Sequence, residues 1–108
     1  MKKIFLLIIT VCFLNANAEV HKGQTYYYYL LKDSLGYNGL IFAKQYSDKQ
    51  WIQLFEHDAK ELKNTLQKEN KNLKTFLNSK KFDEIRPHLK AFVIKFASNK
   101  KNAPQCIE

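Results

Sequence analysis

The stretch SKKFDEIRPHLKAFVIKFA, Ser79 to Ala97, decides the fold class. Phe82, Ile85, Leu89, Phe92, Val93 and Phe96 fall within a narrow arc at about 100° per residue, which predicts a helix with one apolar face. Ser79 stands where an N-cap belongs. Asp83 and Glu84 occupy the first turn, where negative side chains meet the positive end of the helix dipole. Pro87 lies on the opposite, outward side. It removes one backbone hydrogen bond, so a kink or a restart is expected there. Polar residues from Asn99 onward, then Pro104, end this helix near Ala97 or Ser98.

The same periodicity runs backwards through the chain. Trp51, Leu54, Phe55, Ala59, Leu62 and Leu66 form one stripe, and Leu73, Phe76 and Leu77 follow the polar run Lys68 to Asn72. Ser47 with Gln50 has capping-box spacing and marks a helix start. Asp58 is the awkward residue, because an unbroken helix would place it on the apolar stripe. A lone buried carboxylate is costly. A fresh helix capped by Asp58, with Glu61 completing D-x-x-E, removes the conflict. A short helix is expected from about Leu40 to Tyr46. Gly36 and the Asn38-Gly39 turn separate it from a first segment, about Gln24 to Leu35. No alternating strand pattern competes with these helices. The expected fold is all-α, a small single domain of four to five short helices, orthogonal or bundle-like.

The first segment contains four consecutive tyrosines, Tyr26 to Tyr29. Four successive helical residues spread over about 300°, so they cannot share one core face. Tyr27 and Tyr28 align with the following leucines, and Tyr26 and Tyr29 are expected toward the flanks. Two readings stand. The run is a core helix whose hydroxyl tips reach water, or it is a binding face for a partner protein, glycan or flat ligand. The candidate surface comprises Tyr26, Tyr27, Tyr28, Tyr29, Tyr37 and Trp51.

The chain opens MKKIFLLIITVCFLNANA. Two lysines, an apolar run from Ile4 to Leu14 and an Ala-x-Ala site make residues 1–18 a secretory signal peptide. The apolar run would rise only ~16 Å as a helix, about half of a bilayer's hydrocarbon core. Cleavage near Ala18 leaves a helical domain over 19–98 and a polar C-terminal tail over 99–108. The mature protein is expected in the periplasm or outside the cell, with no membrane span after cleavage.

The formal charge of +8 falls to +6 once Lys2 and Lys3 are removed. The lysines are spread thinly, and export argues against a nucleic-acid partner. Cys106 alone survives cleavage, so it cannot staple its own chain, and it is the candidate for an intermolecular disulfide that links a dimer. Catalytic signatures are missing: there is no G-x-S-x-G, no Cys–His arrangement with supporting context and no phosphate-cradling glycine loop. Covalent haem needs C-x-x-C-H, which is absent. His21, His57 and His88 form no metal-ligand spacing. A non-covalent haem could still draw on His57 and His88 from two helices. No cofactor is expected.

The order GQTYYYYLLKDSLGYNGLIFAKQYS, W-x-x-LF, FLNSKKFDEIRPHLKAF and a closing N-x-P-x-C resembles a family of small exported proteins of ε-class proteobacteria. The resemblance covers nearly the whole mature chain. Some members of that family carry a loose cytochrome c-like label, which here would imply likeness as a small helical domain and not covalent haem. The resemblance implies that the turn Gly36 to Gly39, Trp51 and Cys106 belong to the family pattern, and it transfers no activity. The sequence thus reads as an exported binding or protein-interaction module without catalytic activity. The competing readings are a redox or haem accessory protein, using His57, His88 or the Cys106 thiol, and a partner in envelope assembly or enzyme inhibition.

Overall fold

The computed structural model describes residues 19–101. Residues 1–18, where the signal peptide is expected, and Cys106 lie outside the described residues. Within them the chain is all-α, without a strand. Helix α1 occupies residues 19–30, so it begins before the expected Gln24. Leu31 turns the chain into the short α2 (Lys32–Leu35). Gly36 stops it with φ 88°, a left-handed conformation that glycine adopts without a side-chain clash. Its N–H donates to the Lys32 carbonyl at 2.7 Å. The Asn38 side chain then accepts from the Ile41 N–H and starts α3 (Gly39–Ala43), which leaves Tyr46 outside the helix.

Ser47 and Gln50 form the expected reciprocal capping box at the head of α4 (Asp48–Glu69). Inside α4 the backbone departs from helix at Glu56, and His57, Asp58 and Ala59 have φ of 54°, 58° and 59°. The break therefore falls where the carboxylate conflict placed it. Its form differs from a cap. Asp58 is left-handed and not extended, and its carboxylate turns outward to meet Arg86 at 3.5 Å. Asn70 ends α4, and its side-chain oxygen accepts from the Asn72 N–H of a 3₁₀ turn, Lys71–Leu73. Helix α5 (Lys74–Leu77) follows. Ser79 then caps α6 (Lys80–Lys95) as expected, and α6 runs through Pro87 to Lys95.

Helices α4 and α6 lie antiparallel. As the chain climbs α4 its partners descend α6: Asp48 meets Asn99, Asp58 meets Arg86, and Lys63 sits over the Phe82 ring. The core between them holds Phe55, Leu62 and Leu66 from α4 and Phe82, Ile85, Leu89, Phe92 and Val93 from α6. Helix α1 crosses α6 at Gly23. A Cβ there would collide with the His88 carbonyl oxygen and reach within 2.8 Å of Phe92 Cβ, so the backbones touch through the missing side chain. The first residues of the polar tail expected from residue 99 are tied to the domain. The Ser98 N–H donates to the Tyr46 carbonyl, Lys44 Nζ donates to the Ala97 and Lys100 carbonyls, and Asn99 exchanges two hydrogen bonds with Asp48. Residues through Lys100 are thus tied to the corner between α3 and α4. Among the described residues no helix is long and apolar enough to cross a membrane.

Candidate functional site

The tyrosine run is sorted by helix geometry into different environments. Tyr27 is fully buried, stacks on Phe42 with centroids 4.6 Å apart, and donates its hydroxyl to the Tyr37 carbonyl at 2.6 Å. Tyr26 is half-buried, with its ring 5.8 Å from that of His88 and the Lys81 ammonium 5.3 Å from its centroid. Tyr28 and Tyr29 are the exposed pair, at 42% and 74%. Their rings meet edge to face at 5.0 Å, and Lys32 Nζ stands 4.6 Å from the Tyr28 centroid. Spacing alone puts Tyr26 and Tyr29 on the flanks. The contact of α1 with α6 instead covers Tyr26 and leaves Tyr28 outside.

Two residues of the candidate surface belong to the core. Tyr27 is one. Trp51 is the other: it is fully buried against Phe42, Tyr46 and Phe55, and its Nε1 donates to the Ala43 carbonyl at 2.8 Å. Both are large amphipathic side chains whose polar atoms find backbone acceptors inside, so neither leaves an unpaired donor when buried. Tyr37 is half-buried and donates its hydroxyl to the Glu69 carboxylate at 2.9 Å, a strut between the turn after α2 and the end of α4. Burial first, and the neighbouring Glu69 charge with it, pushes its pKa up to about 12, against an opposing hydrogen bond with Gln45.

A second feature lies on the other side of α6. At about 100° per residue, Lys81, His88 and Phe92 share the side facing α1, whereas Asp83, Arg86 and Lys90 share the opposite one. There a groove of about 310 Å³ is lined by Phe55, Asp58, Asp83, Arg86, Pro87 and Lys90. Arg86 Nη2 stands 3.5 Å from Asp58 and 3.7 Å from Asp83. Arg86 Nη1 is buried with no hydrogen-bond partner among the described residues. The left-handed turn His57 to Ala59 forms the groove's α4 edge. Periodicity pointed to the break through Asp58. It gave no sign that Asp83, Arg86 and Lys90 would converge on it, since that depends on how α4 and α6 align.

The histidines do not converge. His88 is on the α1 side of α6, with Nδ1 3.8 Å from Glu19 Oε1, whereas His57 is exposed on the turn beside Asp58. No group of three His, Cys, Asp or Glu side chains placed to hold a metal ion occurs among the described residues. Comparison of the chain with models of protein families, with curated proteins and with solved structures finds no match.

Proposed function

We propose that the protein is an exported interaction module of the periplasm or cell exterior, without catalytic activity, that contacts a protein or envelope component through Tyr28 and Tyr29. One observation carries the reading. Most aromatic rings of the domain are packed in or against its core, yet these two adjacent rings stand outside it. Exposed tyrosines offer apolar area and a hydroxyl at small entropic cost, and they are enriched at interfaces for that reason. The edge-to-face contact and the Lys32 ammonium over Tyr28 hold the pair in a set geometry. The resemblance to small exported proteins and the signal sequence favour the location.

The test is photocrosslinking in the native host, with a photoreactive residue at position 29, followed by capture assays on the partner so identified. Replacing both Tyr28 and Tyr29 by Ala removes the two rings together. The double change should lower capture of that partner about tenfold, as loss of central aromatic anchors does. The melting temperature should change little, because neither ring is core. Capture that survives the double substitution defeats the reading, and so does a protein that no longer folds.

A further inference from the structure

The groove between α4 and α6 joins three features that are each uncommon. Three consecutive non-glycine residues hold positive φ at its edge. Each L-residue held there costs roughly 1 kcal/mol or more, although Asp and His tolerate the region better than most. Such strain collects at binding sites. A buried guanidinium nitrogen, Arg86 Nη1, lacks an acceptor among the described residues. The groove also presents both signs of charge beside an apolar wall.

We infer that this groove binds a small zwitterion carrying a free amine and a carboxylate, an α-amino acid or a dipeptide. The carboxylate goes to Arg86 and Lys90. A guanidinium fork matches a carboxylate in two parallel hydrogen bonds, and the long contacts of Nη2 to Asp58 and Asp83 leave Arg86 with donor capacity to spare. The amine goes to Asp58 and Asp83. Their contacts to Arg86, at 3.5 and 3.7 Å, are longer than tight charge-assisted hydrogen bonds, so both carboxylates keep acceptor capacity. Phe55 and Pro87 supply the apolar wall for the ligand's carbon atoms. Two cationic and two anionic side chains leave the lining formally neutral. A lone anion would face Asp58 and Asp83, and a lone cation would face Arg86 and Lys90. Only a ligand with both charges meets a partner at each end. The volume is at the small end of ligand sites, which run from about 300 Å³ upward.

The strained turn has a place in this scheme. An apolar residue at position 58 would let α4 continue as one helix. The chain carries a carboxylate there instead, and the left-handed turn delivers that carboxylate to the groove.

The experiment is amide NMR titration of the mature chain with alanine, alanylalanine, acetate and ethylammonium as separate probes. Alanine or alanylalanine should give saturable shifts confined to the amides of 55–60 and 83–91. Acetate and ethylammonium should bind at least about tenfold more weakly, as the loss of one charged hydrogen-bonding end implies. Lys90→Gln, an outward change that spares the Arg86 pairs, should weaken binding about tenfold. Replacing Tyr28 and Tyr29 by Ala should leave it unchanged, since that pair does not line the groove. Acetate binding as tightly as alanylalanine overturns the proposal. Non-saturable shifts, or a Lys90→Gln protein with full affinity, overturn it as well.

Discussion

Helices α4 and α6 lie side by side, and each contains a residue at odds with a continuous helix. They resolve the conflict in opposite ways. Helix α6 contains proline, the strongest helix breaker, and runs unbroken from Lys80 to Lys95. Helix α4 contains neither proline nor glycine, and its backbone leaves helical geometry from Glu56 to Ala59. The difference lies in which face carries the misfit. Pro87 is exposed, so the carbonyl that loses its helical partner, that of Asp83, lies toward solvent. Asp58 would be carried inward by an unbroken helix, among Trp51, Phe55 and Leu62. A missing hydrogen bond at the surface is tolerable, whereas a buried lone carboxylate is not. A backbone defect thus forms where the side-chain pattern demands it, and not where the backbone is weakest.

Helix α6 also has outside support. Gly23 of α1 lies directly on the carbonyl of His88, the residue after Pro87. Gly23→Ala should have the largest effect on stability. Its Cβ meets backbone, which cannot swing aside, so α1 must lift from α6. A loss of about 2–3 kcal/mol is expected, the scale of overpacking a tight contact, although Ala is the better helix former. Denaturant unfolding measures it. Amide exchange should also quicken on both sides of Pro87. An unchanged stability would mean that α6 needs no brace at its proline.

His57→Gly tests the other helix through the sign of its effect. At φ 54° the exposed His57 bears a strain that glycine does not. The substitution should raise stability by about 1 kcal/mol if the turn is left-handed. In a continuous helix the same change would lower it by about 0.5 kcal/mol. A thermal or denaturant melt distinguishes the two outcomes.

Much of this contrast is legible in the sequence, and the limits are physical. The apolar arc of α6, its Ser79 cap, the Gly36 stop and the Ser47–Gln50 box are local, and local spacing reveals them. Asp58 announces the break because a carboxylate on an apolar stripe is a contradiction within one helix. The remaining features depend on alignment between helices. Tyr28 and not Tyr26 is exposed because α1 meets α6 through Gly23, a contact that no periodicity encodes. Trp51 and Tyr27 belong to the core and not to the surface because Ala43 and Tyr37 offer carbonyls to their polar atoms. The groove requires Arg86 to come opposite Asp58, and the clasp around Asn99 and Lys100 joins residues about fifty positions apart. None of these pairings leaves a mark in either partner's own neighbourhood.

The smallest expected effect is a pH response that should separate the two helices again. Tyr37 is tied to Glu69, the last residue of α4, and burial with the nearby carboxylate raises its pKa to about 12. The unfolded chain releases this proton near pH 10. The folded state therefore binds more protons than the unfolded state between those values, and stability falls as pH rises from about 10 to 12. Tyr37→Phe removes the titrating group, so its stability should decline less steeply over that window, from a slightly lower starting value because the Glu69 bond is lost. Amide exchange of the same variant at neutral pH adds the spatial part. Without a hydroxyl to donate to Glu69, the C-terminal turns of α4 should lose protection ahead of α6, whose end is held by the separate Lys44 and Asn99 contacts. Simultaneous loss in both helices would show that α4 and α6 open as one cooperative unit, with the strained turn at Glu56 to Ala59 providing no boundary between them.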